Sequence, residues 1–245
     1  MTKENLEAPF PYFGGKSSIA HIVWDALGDV ACYMEPFFGS GAVLLSRPNY
    51  DPRRHTEIVC DKDGYVANAW RAIQWAPDEV ARYCDWPVNH ADLTARRKAL
   101  VEGEKKLLKN LIDSDTYYDA KLAGYWIWGM GCWIGGGFTL DEKPTKPGGK
   151  RPKLISLCGI HKKHRIVISR CTDRYNEGIY TWLRCLSERL RFVCVVCDDW
   201  HRICKGKWQT QKGVCGIFFD PPYDASTGRD LRLYHVDSHL SLIHI

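Results

Sequence analysis

The chain has 245 residues, of which 45% are hydrophobic and 26% charged, with a formal net charge of +5. That is long enough to bury a proper core in one large or two small domains. No apolar run reaches the roughly 18 residues of a membrane span, and Met1-Thr2-Lys3-Glu4-Asn5 is not an apolar leader, so an exported or helical membrane protein is not expected. Eleven cysteines, an odd number, read as reduced thiols rather than a disulfide framework.

In chain order, the first motif is Phe10-Pro11-Tyr12-Phe13-Gly14-Gly15-Lys16-Ser17. A phosphate loop would need glycine where Phe10 stands and an apolar strand before it, so an NTPase is rejected. Residues 32–35 read as a short buried strand, followed by Pro36-Phe37-Phe38-Gly39-Ser40-Gly41 and a helix start at 42–45. Gly39 and Gly41 remove Cβ atoms where backbone passes close to a ligand. A second strand over 57–61 ends in Asp61, about 20 residues after Gly41, the spacing of an acid that grips ribose hydroxyls in doubly wound nucleotide folds.

The chain then changes character. Residues 69–75, 78–84, 91–110 and 116–128 carry apolar residues at helical spacing, and the glycine-rich stretch 129–137 is expected to break helix. Trp126, Trp128 and Trp133 read either as core or as wedges between bases. Between 143 and 165 stand eight basic residues, Lys143, Lys146, Lys150, Arg151, Lys153, Lys162, Lys163 and Arg165, with no acid, so the rest of the chain sums to −3. Prolines and glycines make that segment a loop or hairpin, with 158–169 as one arm; it suits either phosphate neutralisation or plain solvation.

A third strand over 192–197 leads into Asp198-Asp199-Trp200. Cys194 and Cys197 have zinc-like spacing, but residues three apart on a strand face opposite ways, so no metal site is expected. A fourth strand, Gly216-Ile217-Phe218-Phe219, delivers Asp220-Pro221-Pro222-Tyr223. One reading of that tetrapeptide is a strand stopped by prolines. The other is chemical: a carboxylate and a backbone carbonyl held outward by proline would accept both hydrogens of an exocyclic amine, and the aromatic ring would stack on a flipped base. Four strands ending in carboxylates at one edge of a parallel sheet favour the second, because open α/β folds bind ligands there.

With these motifs in this order, the chain resembles Dam-type adenine-specific DNA methyltransferases, particularly phage and metagenomic members. The resemblance covers nearly everything before residue 239 and implies a Rossmann-like, S-adenosylmethionine-dependent α/β sheet with an inserted, mainly helical target-recognition domain. It implies a catalytic domain from residues 1–75 and 173–239 and an insertion over 76–172. Tyr12, Gly15, Lys16, Glu35, Phe37, Gly39 and Gly41 are then expected around the methionine part of S-adenosylmethionine, with Asp61 on its ribose and Asp199, paired with Trp200, on its adenine. Asp220, Pro221, Pro222 and Tyr223 would form the catalytic loop, and the eight basic residues of 143–165 would hold double-stranded DNA. No metal is needed for direct transfer to the adenine 6-amino group. A monomer in the cytoplasm of a bacterial or phage-infected cell is expected.

Two alternatives stay open: an amino-methyltransferase acting on cytosine, RNA or a protein glutamine, and a DNA-binding protein without methyl transfer. The family's cytosine enzymes typically lead the catalytic loop with Ser and its glutamine enzymes with Asn, so Asp220 favours adenine. Finally, Leu240-Ser241-Leu242-Ile243-His244-Ile245 reads as a non-native tail on an open reading frame cut short, which would leave the fourth strand as an exposed apolar edge.

Overall fold

Four short, largely apolar runs pair in parallel to form the sheet, and every residue of the first is shut away from water. The computed structural model describes residues 6–12, 14–133, 138–139, 178–205 and 213–222. Its strands are β1 (Cys32–Glu35), β2 (Thr56–Asp61), β3 (Val193–Cys197) and β4 (Cys215–Ile217), in the order β3-β2-β1-β4. Tyr33 stands opposite Glu57 and Gly216, and Asp61 opposite Cys197. Uninterrupted burial along β1 is what a parallel strand covered on both faces shows. The chain walks from β1 through β2 to β3 and then returns to the other side of β1. The order therefore reverses between β1 and β4, and open α/β sheets bind ligands at such a switch point.

Among the described residues there are eight helices: α1 (Ala20–Leu27), α2 (Ala42–Leu45), α3 (Gly64–Trp75), α4 (Pro77–Cys84), α5 (His90–Asp113), α6 (Ala120–Cys132), α7 (Gly178–Leu190) and α8 (His201–Cys204). Short polar side chains set several starts. Asp63 accepts from Tyr65 N, Asn89 from Asp92 N and Asp119 from Leu122 N, each satisfying a backbone donor that a helix leaves open. These caps explain where the sequence expectation slipped. Helix α3 begins at Gly64, before the expected 69, and α6 begins at Ala120, after the expected 116. The helix does end within the glycine-rich stretch 129–137, but later than the expected 128: α6 runs on to Cys132. A Cβ on Gly129 would stand 2.1 Å from the ring of Phe138, so this glycine provides clearance for an aromatic ring rather than ending the helix. Helix α1 had not been anticipated.

One apolar core joins the sheet to the helices, running from Tyr33, Val59 and Val195 through Trp70 and Leu183 to Leu100 and Ile127. Helices α4 to α6 therefore share their core with α3 and α7. Trp126 and Trp128 are buried in it, the bland alternative for these side chains. The opposite sheet face carries Cys32, Met34 and Cys60 under Ile203 of α8. Cys194 is exposed and Cys197 buried, as strand alternation requires.

Buried polar groups lock the crossover in place. The Arg71 guanidinium donates to the carbonyls of Val195, Leu111 and Ser114 at 2.9, 3.0 and 2.9 Å, joining α3 to β3 and to the end of α5. Glu57 of β2 lies between Arg47 and Arg189, with contacts of 3.3 and 2.7 Å. Among the described residues β4 is an edge strand, and Val214, Ile217 and Phe219 along it are exposed. No helix of the described residues is long and apolar enough to cross a membrane. Residues 240–245 and most of the stretch 134–177 lie outside the described residues.

Candidate active site

All four strands point their carboxyl ends to one edge, so Glu35, Asp61, the Asp198-Asp199 pair and Asp220 collect there. The loop after β1 is built first by its own backbone. Phe38 N donates to Cys60 O at 2.9 Å, tying the loop to β2, and Gly41 N donates to Phe38 O at 2.8 Å, closing a tight turn. Gly39 and Gly41 have φ of 47° and 61°, a region costly for residues with a Cβ. Space is equally strict: a Cβ on Gly39 would lie 2.4 Å from the Tyr12 ring, and one on Gly41 2.7 Å from the Phe38 ring. Gly15 is different, since a Cβ there would meet only ordinary contacts at 3.6 Å or more.

Asp61 ends β2 against this loop. Its Oδ2 accepts from Gly39 N at 2.8 Å and its Oδ1 from Asp63 N at 2.9 Å. Burial, reinforced by the Asp63 carboxylate, pushes its carboxyl up to about 7 against the pull of those backbone donors. The residue keeps a partly exposed edge, so further donors can reach it. Asp199 follows β3. Burial alone would raise its carboxyl, but hydrogen bonds from the His201 ring and backbone, with Lys62 at 3.6 Å, hold it below the usual carboxylate range.

Asp220 follows β4 and forms an ion pair with Lys16, Nζ to Oδ2 at 2.7 Å. The same ammonium donates to Gly14 O at 2.9 Å, so the N-terminal loop folds over the end of β4. Phe219 meets Phe37 edge to face at 5.2 Å and Trp200 at 5.1 Å, so rings from three loops converge between the carboxylates. Pro221 is buried and Pro222 half-buried beside them.

The structure thus brings together Tyr12, Lys16, Phe37, Gly39, Gly41, Asp61, Asp199, Asp220, Pro221 and Pro222. Glu35 needs correction as a residue expected around the methionine part. Its side chain is turned inward and only 3% exposed, accepting from Tyr33 OH at 2.9 Å and from the Leu44 backbone. Its apolar surroundings, with Asp220 and Glu57 nearby, push its carboxyl up to about 8. Glu35 supports the loop from beneath because β1 is buried to its last residue. Tyr223 and the eight basic residues of 143–165 lie outside the described residues. Two contributors escaped the sequence reading: the Lys16–Asp220 pairing and the Trp70 indole, which donates to Gly39 O at 2.8 Å. Neither carries a local signal, since each joins segments far apart in the chain.

The arrangement fits S-adenosylmethionine on its own geometry. Acids ending adjacent strands suit ribose hydroxyls and an adenine amine, the converging rings suit a flat base, and in the tight glycine turn only Ser40, between the buried Gly39 and Gly41, keeps part of its surface open to an amino acid. Residues 12–124 match the family model of D12 class N6 adenine-specific DNA methyltransferases. The match contains Tyr12, Lys16, the glycine turn and Asp61, and ends before Asp199 and Asp220. No curated protein matches the chain. Enzymes of that class use S-adenosylmethionine as methyl donor to methylate the N6 amino group of adenine in DNA.

Proposed function

We propose that this chain, which carries a D12 class N6 adenine-specific DNA methyltransferase domain over residues 12–124, methylates adenine in double-stranded DNA with Asp220 and Pro221 as the groups that receive the target amine. The observation that carries this reading is the 2.7 Å contact between Lys16 and Asp220. It joins the N-terminal end of the matched segment to the Asp-Pro-Pro loop outside it, so both belong to one site.

An adenine 6-amino group is a poor nucleophile because its lone pair is delocalised into the ring. The Asp220 carboxylate and the Pro221 carbonyl accept hydrogen bonds from its two N–H groups and draw the nitrogen toward tetrahedral geometry. Proline at 221 and 222 supplies no competing N–H and fixes φ, which keeps that carbonyl available. Lys16 holds the Asp220 side chain in place through their 2.7 Å contact, and Tyr223 stacks on the flipped base. S-adenosylmethionine, when bound, supplies a methyl group on a positively charged sulfur. Asp61 takes the ribose hydroxyls, Asp199 the adenine amine, and Tyr12 with the Gly39–Gly41 turn encloses the amino-acid end. Catalysis is then mainly positioning and electrostatics.

The basic residues from Lys143 to Arg165 hold the DNA phosphates, a role supported by eight positive charges without an acid in that segment. With residues 77–133, which pack on the catalytic core, this segment makes up the target-recognition part. The test is incorporation of labelled methyl groups into duplex DNA. Label recovered as N6-methyladenine from the wild type and absent with Asp220→Ala supports the reading. Label in cytosine, in RNA alone, or undiminished in Asp220→Ala overturns it.

A further inference from the structure

Trp70 lies on α3, and none of its surface reaches solvent. Its indole N–H donates to the carbonyl oxygen of Gly39 at 2.8 Å, while Gly39 N donates to Asp61 Oδ2 at 2.8 Å. The two peptide groups flanking Gly39 are therefore held from two sides by buried or partly buried groups on α3 and β2. The indole itself is fixed in plane by Phe10 and Phe38, at ring separations of 5.4 and 5.2 Å.

The Gly39 carbonyl shares its peptide group with the N–H of Ser40. No cis peptide bond occurs among the described residues, and in a trans peptide the carbonyl and the following N–H point in opposite directions. With the Gly39 carbonyl drawn into the core, the N–H of Ser40 is turned away from it. An N–H held in that direction is preorganised to donate to an anionic group. A glycine loop without the indole contact would be free to rotate this peptide and would lose that direction.

We infer that Trp70 is a positioning residue for the cofactor: it fixes the Gly39–Ser40 peptide so that the Ser40 N–H is presented to the carboxylate of the cofactor's amino-acid end. This rests on the reading above that the glycine turn encloses that end. Trp70 touches no reacting group and acts through the backbone alone.

The test compares two ligands by calorimetric titration of the full chain: S-adenosylhomocysteine, and methylthioadenosine, which lacks the amino-acid portion. Trp70→Phe keeps an aromatic ring against Phe10 and Phe38 but removes the donor. The expected result is a loss of roughly tenfold in affinity for S-adenosylhomocysteine with methylthioadenosine unchanged, the scale of one hydrogen bond to a well-placed group. Equal losses for both ligands, or no loss, overturn the proposal. If thermal melting shows that Trp70→Phe is unfolded, incorporation of benzothienylalanine at position 70 replaces the N–H by sulfur at nearly constant shape, and the same two outcomes decide. Gly39→Ala separates the underlying reading. If that variant leaves the affinity gap between the ligands intact, the turn does not hold the amino acid, and both readings fall. If the gap narrows but Trp70→Phe does not narrow it, only the role of Trp70 falls.

Discussion

Lys16 Nζ lies 2.7 Å from Asp220 Oδ2, so the first loop of the described chain and the last are closed on each other by one ion pair. The two side chains are 20% and 28% exposed, which leaves the pair partly desolvated. A charge-assisted contact of this kind contributes more than one on open surface. Lys16→Met is expected to lower the rate at saturating substrates by between about tenfold and a hundredfold, because Asp220 loses its orientation and its counter-charge. Single-turnover methylation measures this, and a rate within twofold of wild type would show the pair to be incidental.

Asp220→Asn keeps the shape of the side chain but replaces one acceptor oxygen by a donor. Methyl transfer is expected to fall by at least about a hundredfold, in the range seen when a preorganised hydrogen-bonding group aimed at developing charge is lost. Binding of S-adenosylhomocysteine should stay within a few-fold of wild type. Filter-binding and methyl-incorporation assays on the same preparation separate the two quantities.

The glycines make opposite predictions. Gly39→Ala forces a Cβ against the Tyr12 ring at 2.4 Å in backbone of φ 47°, and should weaken cofactor binding by about 1–3 kcal/mol. Gly15→Ala meets nothing closer than 3.6 Å and should be nearly silent. Calorimetric titration of both variants checks the contrast, which would fail if the two behaved alike.

Glu35 predicts a pH dependence of stability. Burial raises its carboxyl to about 8 in the folded protein, against an ordinary value near 4.5 in the unfolded chain. Between those values the folded state holds a proton that the unfolded state has released. Its contribution to stability is therefore fully present below about 4.5 and is lost as pH rises through about 8. Asp61 acts in the same direction over the window up to about 7. The ligand-free protein should melt at a higher temperature at pH 5.5 than at pH 8, and Glu35→Gln should remove part of that slope. A slope unchanged in the variant would clear Glu35 of this role.

Glu57 carries the largest expected loss. Its side chain is wholly buried between Arg47 and Arg189. Glu57→Ala leaves buried guanidinium charge without its counter-ion and should destabilise the fold by about 3–5 kcal/mol, measured by urea unfolding. Glu57 stands opposite Tyr33 near the start of β2 and not at the carboxyl edge that leads to Asp220, so methylation per folded molecule should be retained.

The sequence alone determined the positions of the four strands along the chain, the acid at or after the end of each, and the glycine turn, because apolar runs, turn chemistry and helix spacing are local properties. It also identified Asp61, Asp199 and Asp220 as one edge before any packing was known. What only the tertiary structure decided are relations between distant segments: Lys16 with Asp220, Trp70 with the Gly39 carbonyl, and Glu57 between two arginines. It also decided the direction of Glu35, which a motif places at the site but a fully buried strand turns inward. Helix boundaries went the same way, since Gly129 reads as a breaker locally and serves as clearance for Phe138 in the fold. Local rules specify backbone conformation. Which side chains meet is set by how the sheet closes on its helices, and no single stretch of chain encodes that.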